Sequence, residues 1–273
     1  MPSISEQPSA SEIIFFDDFT SNGLDRSKWN VEITGPVYNS EQQAYIDSSE
    51  TIYTENLQDA QANVNGVLVI QPRHCPGFVT PEGKAFDFVS GRITTMSKVE
   101  FTYGRIAARM KLMPSPGLWP AFWSMGSAKP WPENGEIDIM ENVGDPSWTN
   151  VAMHGPGYSG DTPLVNKNYF SPGNDANDWH VYSVDWMKDC LLFKTDGELT
   201  YHVTRTIVEK FGPWVYDNSK FLLLNCALGG MYPFNVNGIQ SPYLGMPEAT
   251  VQLIKDNRAR VLIDWVRVTK VEN

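Results

Sequence analysis

Residues Gly135-Glu136-Ile137-Asp138-Ile139-Met140-Glu141 set three carboxylates among large apolar side chains in a run that alternates like a strand. A period of two puts Glu136 and Asp138 on one face and Ile137 and Ile139 on the other, so the apolar face can be buried while the acids line a surface or cleft. Glu141 breaks the pattern. Five residues beyond Glu136, it belongs to the opposite face unless Ile139-Met140 absorbs one residue in a β-bulge, a device that re-aims a side chain. The sequence therefore predicts a bulge there. Five extended residues span about 16 Å, whereas paired carboxyls that cleave a glycosidic bond with retention stand roughly 5 to 5.5 Å apart. The bulge, a concave sheet and two long side chains would have to close that gap.

Paired carboxylates suit such chemistry because it needs two groups in opposite protonation states. One stays ionised and attacks the anomeric carbon; the other, its pKa raised by burial and by negative neighbours, protonates the departing oxygen and then activates water. A third carboxylate between them can hold a proton or share a hydrogen bond. Without its flanks, the run fits equally well a solvated acidic face on an edge strand.

The flanks tip the balance. Glu-Ile-Asp-Ile-Met-Glu resembles the bulged signature of glycoside hydrolase family 16, as found in laminarinase-like β-1,3-glucanases. Other segments are similar to that family and stand in its order: Phe15-Phe16-Asp17-Asp18-Phe19 with Trp29; Asn39-Ser40-Glu41-Gln42-Gln43-Ala44-Tyr45; Ser90-Gly91-Arg92-Ile93; Tyr103-Gly104-Arg105; Gly117-Leu118-Trp119-Pro120-Ala121-Phe122-Trp123; His154 to Gly160; and Leu222 to Asn225. By that resemblance Glu136 is expected as nucleophile, Glu141 as general acid/base and Asp138 as the assisting carboxylate, in a reaction that retains configuration. The order of nucleophile before acid comes from the resemblance alone.

Trp119 and Trp123 share a face if their segment is extended, so both indoles can present to one groove, where sugar C–H faces stack on aromatic rings. Nine tryptophans is a high count for 273 residues, and these two precede the acidic run. They are assigned to the cleft together with Trp131, whereas Trp179, Trp186 and Trp265 sit in apolar alternating runs and are assigned to the core. A hairpin through Asn142 to Ser147, with Glu141 opposite Trp148, brings His154 opposite the region of Glu136. His74, His180 and His202 show no ligand spacing. The resemblance adds Asn39, Glu41, Gln43, Tyr45 and Arg92 along the groove, with Arg92 and Asn39 foremost as contacts to sugar hydroxyls. Pro36-Val37-Tyr38 departs from the glycine-rich approach of laminarinases, which bears on substrate preference.

The rest of the chain reads as short strands separated by turns: Gly66 to Ile70, Arg105 to Lys111, His180 to Trp186, a hairpin across Asp196-Gly197, Phe221 to Leu228, and Arg260 to Val268. Only Thr204 to Phe211 shows helical character. The pattern predicts an all-β antiparallel sandwich, and the resemblance specifies a concanavalin A-like jelly roll with a concave cleft. Residues 13–273 are expected to form one catalytic domain after a flexible tail, Met1 to Glu12. A formal net charge of -11 argues against nucleic acid as partner and favours neutral glucans over sulfated galactans.

No apolar stretch approaches the length of a membrane span. The tail lacks the charged start and apolar run of a signal peptide; since the resemblance implies a polysaccharide-degrading enzyme acting outside the cell, removal of a leader is the expectation. Cys75, Cys190 and Cys226 allow at most one disulfide and fit no metal motif. No cofactor is expected for catalysis, but the resemblance implies a structural calcium on the convex side, held by Asp18, Gly66 and Asp264. Asp264 interrupts an apolar strand, which asks for a reason. The functional expectation is a monomeric endo-acting hydrolase of β-1,3-glucan or mixed β-1,3-1,4-glucan. A transglycosylase, a hydrolase of galactan or xyloglucan, and a non-catalytic glucan-binding module remain as alternatives, the last opposed by retention of all three acids.

Overall fold

The structure is a computed structural model that describes residues 12–34, 37–57 and 66–271. The tail to Ser11 and Pro36 lie outside the described residues. In chain order the strands are β1 (Ile13–Asp17), β2 (Asn30–Val31), β3 (Gln43–Tyr45), β4 (Ile52–Glu55), β5 (Val67–Ile70), β6 (Arg73–Val79), β7 (Ala85–Ser90), β8 (Arg92–Thr94), β9 (Gly104–Lys111), β10 (Leu118–Gly126), β11 (Glu136–Glu141), β12 (Trp148–His154), β13 (Leu164–Tyr169), β14 (Trp179–Trp186), β15 (Cys190–Thr195), β16 (Glu198–Thr204), β17 (Lys220–Leu228) and β18 (Val261–Thr269). Three short helices, α1 (Arg205–Val208), α2 (Met231–Asn237) and α3 (Glu248–Lys255), complete the elements.

Two large sheets form the sandwich. One runs β13-β12-β11-β10-β17-β8-β2; the other runs β16-β15-β14-β9-β18-β5-β4, with β1 added against β18. Every pair within them is antiparallel. A small third sheet, β3-β7-β6, contains the parallel pair β3–β7.

Alternation decides what fills the space between the sheets. From the first sheet come Phe122, Ile137, Ile139, Met140, Leu222 and Leu224; from the second come Ile106, Ala108, Met110, Val184, Trp186, Phe193, Ile263 and Val266. Burying a side chain of this size contributes about 1.5–3 kcal/mol. The odd-numbered positions of β10 and β17 face the other way, onto the outer surface of the first sheet.

The strands expected from alternation are present, and Asp196-Gly197 turns β15 into β16 with both residues at positive φ, 53° and 85°. Two helices escaped the sequence reading. α2 and α3 have seven and eight residues, barely two turns, too few for a 3.6-residue period to stand out. Trp265 corrects a core assignment: β18 slips register against β9 between Ile263 and Trp265, and the indole turns outward beneath the Arg267 guanidinium, 4.9 Å from the ring centre. Trp186 is fully buried, while Trp179 packs in a satellite cluster with Val67, Val69 and Leu262. The three cysteines are free thiols, and no helix among the described residues is long and apolar enough to cross a membrane.

Candidate active site

The bulge is where the sequence placed it. Against β10, Asp138 pairs with Trp123 and Met140 with Phe122, so Ile139 has no partner of its own; against β12 the register slips between Asp138 and Glu141. The extra residue reverses the parity of the residues beyond it. Ile137, Ile139 and Met140 all enter the core, and Glu136, Asp138 and Glu141 come to one face. Glu136 lies opposite His154, one residue from where the expected pairing of Glu141 with Trp148 would put it, and Glu141 lies opposite Asn150, the bulge accounting for one of the two residues of difference.

Register carries polar residues across the sheet in rows. Arg92 on β8, Asn225 on β17, Ala121 on β10, Glu141 on β11 and Asn150 on β12 are successive cross-strand partners. A second row joins Met125, Glu136 and His154. Glu136 and Glu141 each receive an indole N–H. Trp119 Nε1 donates to Glu141 Oε1 at 2.9 Å, Asn150 Nδ2 to Glu141 Oε2 at 3.3 Å, and Trp131 Nε1 to Glu136 Oε2 at 2.7 Å. His154 Nε2 stands 3.3 Å from Asp138 Oδ2. Asp138 Oδ2 and His154 Nδ1 are buried with no hydrogen-bond partner among the described residues. Unpaired polar atoms on a recessed face are costly, by about 1–3 kcal/mol each, unless a polar ligand meets them.

Crowding and burial shift all three acids toward the protonated form. Burial, then the charge of Asp138, pushes Glu136 up to about 8, with His154 and the Trp131 N–H acting in the opposite sense. Asp138, between the other two, is pushed well above the usual carboxylate range by burial and by Glu141. Glu141 rises through burial, opposed by the Trp119 N–H, His154 and Asn150. Oxygens and a ring nitrogen of Glu136, Asp138 and His154 lie within 4.8 Å of one another, close enough for one small cation to bridge them.

The expected groove residues divide into two kinds. Trp119 and Trp123 sit on the site face, half-buried, while Trp131 is 47% exposed beside His154, their ring centres 6.0 Å apart. Arg92 reaches the same face but is engaged: its Nε lies 2.8 Å from Glu32 Oε2, and its guanidinium lies over Trp123 at 4.9 Å and Tyr45 at 5.8 Å. Glu41 accepts from Gln43 Nε2 at 2.8 Å and from the Tyr45 hydroxyl at 3.3 Å, and burial raises its pKa. It supports the groove from beneath rather than presenting a bare carboxylate. Asn39 is exposed at the rim with φ of 51°, its carbonyl accepting the Met231 N–H that opens α2.

Several contributors were not singled out from sequence. Asn225 accepts the Trp123 indole N–H at 2.8 Å and donates to the Tyr45 hydroxyl at 3.1 Å, linking two groove aromatics. Its signal was an amide inside an apolar strand. Tyr232 on α2 packs edge-on against Trp119 with ring centres 5.3 Å apart. Asn150 and Lys220 become visible only through pairing register.

At the far side of the molecule, Asp264 stands at the β18 bulge, and Arg109 Nη1 donates to its Oδ2 at 2.5 Å. Burial raises its pKa, and the charge of Asp18 adds to the rise. A Cβ on Gly66 would lie 2.5 Å from the Phe19 carbonyl oxygen, so only glycine lets these two backbones meet. Two repelling carboxylates beside a close backbone crossing are oxygen donors of the kind calcium takes, although Arg109 already holds one oxygen of Asp264.

Comparison with known proteins agrees with this geometry. The profile of glycosyl hydrolases family 16 matches residues 41–220. The glucan endo-1,3-beta-glucosidase A1 of Niallia circulans is 30% identical over 281 residues, covering 94% of this chain and 38% of that protein. A beta-glucanase of Rhodothermus marinus is 29% identical, covering 94% of this chain and 84% of its own length. The laminarinase catalytic domain of Thermotoga maritima superposes with a TM-score of 0.80 at 32% identity, over 96% of this chain and 99% of that one.

Proposed function

Because the chain belongs to the glycosyl hydrolases of family 16, we propose that it is an endo-acting hydrolase of β-1,3-glucan or mixed β-1,3-1,4-glucan that retains anomeric configuration. The observation that carries this reading is the bulge at Ile139, which gathers Glu136, Asp138 and Glu141 on one face beneath Trp119, Trp123 and Trp131.

Glu136 attacks the anomeric carbon and forms the glycosyl-enzyme; Glu141 protonates the departing oxygen and then takes a proton from the incoming water. Asp138 supports the attack. Its pKa is held well above the usual carboxylate range, so when it carries the proton its repulsion of Glu136 is relieved and it can donate to the Glu136 anion. The Trp131 N–H favours the same anion. Glu141 is raised by burial, the condition a general acid needs. Indole faces at Trp119 and Trp123 stack sugar rings, while Asn39 and Arg92 at the groove meet hydroxyls. His154 orients Asp138 across the strand pair.

Calcium, when bound, supplies structural cross-linking: Asp18, Asp264 and the backbone at Gly66 would hold it away from the reaction. The substrate is a polymer outside the cell, so the protein is placed there, acting as a monomer; light scattering checks the latter. Sugar release from laminarin, barley mixed-linkage glucan, xyloglucan, agarose and carrageenan tests the activity, with Glu136→Gln as the blank. Release from laminarin that falls about 10³-fold or more in the variant, with binding retained, supports the reading. Silence across the panel overturns it, and transfer products in place of reducing ends would make it a transglycosylase.

A further inference from the structure

Lys220 opens β17 and is 0% exposed. Lysine is almost never fully buried unless its charge is met, because removing an ammonium from water costs several kcal/mol. Here Nζ donates to the carbonyl of Asn134 at 2.9 Å, the carbonyl of Gly135 at 2.8 Å and Asn218 Oδ1 at 2.9 Å. Three acceptors match the three N–H bonds of an ammonium; a neutral amine would turn its lone pair on one of them. The rings of Tyr216 and Trp186 lie 5.3 and 5.8 Å away, adding two aromatic faces to the cation's surroundings.

Two of the acceptors are the residues immediately before Glu136. Gly135 has φ of 69°, and a Cβ there would lie 3.0 Å from Lys220 Nζ, so the turn and the lysine are built around each other. Asn134 completes the joint through Nδ2 to the Gly126 carbonyl, and Asn218 Nδ2 donates to Asn134. The same turn begins at Trp131, whose indole holds the Glu136 carboxylate.

We propose that Lys220 is a positioning residue for Glu136: its buried ammonium clamps the last two carbonyls before that residue and places a positive charge one peptide away from it. This role rests on the reading of Glu136 as the nucleophile. The groups facing Glu136 are Asp138 and Glu141 on β11, His154 on β12, Tyr216 in the segment before β17, and Lys220 itself. The two acids push Glu136 toward its neutral form, and His154 and the Trp131 N–H oppose them; Lys220 adds a buried cation on the other side of the Gly135 peptide. Burial draws the ammonium down to about 7, and the charge of Glu136 holds it up. The charge of Glu136 favours the ammonium, and the three acceptors at 2.8 to 2.9 Å favour it too.

The indole N–H resonance of Trp131 reports Glu136 directly and needs no turnover. Its nitrogen shift is followed against pH in the wild type, Lys220→Met and Lys220→Arg, with Trp131→Phe for assignment. Loss of the charge should raise the Glu136 midpoint by about one pH unit in Lys220→Met, and Lys220→Arg should recover at least half of that. In parallel the acid limb of kcat moves up while KM stays within about two-fold, a split that simple loosening of the core would not give. An unmoved midpoint in Lys220→Met, or an equal shift in Lys220→Arg, overturns the role. If Lys220→Met loses its near-ultraviolet circular dichroism, Asn218→Leu removes one acceptor instead. A rise of about half a unit supports the role in that variant, and no rise overturns it. A wild type silent on every glucan would sink the hydrolase reading while leaving the titration readable.

Discussion

At the scale of single residues, the three carboxylates are held against their own preference. An unfolded chain ionises Glu136 near the ordinary glutamate value, whereas the folded chain keeps its proton up to about 8. Between those two pH values the native state binds the extra proton, so stability falls as pH rises and the loss is complete above the folded value. Glu136→Gln removes the ionisation. Its thermal midpoint should exceed the wild type by about 3–6 °C at pH 8, corresponding to about 1–2 kcal/mol, and match it near pH 4. Equal midpoints at both pH values would show that the site stores no such penalty. The acids and the three groove tryptophans were legible in the sequence, because alternation and residue type announce them. What the tryptophans do with their N–H groups was not. Trp119 and Trp131 were expected as stacking surfaces, and they also hold Glu141 and Glu136, a role fixed by the pairing of β10 with β11 and by the turn between them.

At the scale of elements, one unpaired residue sets the face on which Glu141 leaves β11. Deleting Ile139 restores a regular strand and leaves Glu141 four residues after Glu136, on the same face, so if the bulge serves to correct parity the variant should keep turnover within about ten-fold. Ile139→Ala keeps the bulge and empties its core position. It should lose about 2–5 kcal/mol of stability, read by urea unfolding, while retaining most of its turnover at a temperature where it stays folded. A folded deletion variant that loses about 10³-fold of its activity while Ile139→Ala keeps its own would show that the bulge supplies more than parity. The bulge was predictable because three acids at odd spacing demand it, and the sandwich strands were predictable from their period. The helices α2 and α3 were not, since so few residues carry no readable period, and the row from Arg92 through Asn225 to Asn150 needed the register itself. Glu41 and Arg92 belong to that lesson: their residue types were legible, whereas their partners Gln43, Tyr45 and Glu32 come from tertiary pairing.

At the scale of the whole molecule, the sheet that carries the site and the sheet behind it are tied by different means. Apolar packing joins them, and the back sheet takes on β1 as an added strand against β18, near Asp18 and Asp264. Calcium at that seam should raise the unfolding midpoint by about 5–10 °C when the ion is present at about a hundred times its dissociation constant. Thermal scans with calcium and with chelator check it, and an unchanged midpoint removes the ion from the fold. The seam has a mechanical side as well. Ile13 pairs with Thr269, so the first and last strands meet at the ends nearest their chain extensions. Tension applied through those extensions would load the ladder one hydrogen bond at a time and peel β1 like a zipper. The cleft sheet, with β10 and β11 flanked on both sides, would feel no direct pull until that seam had opened.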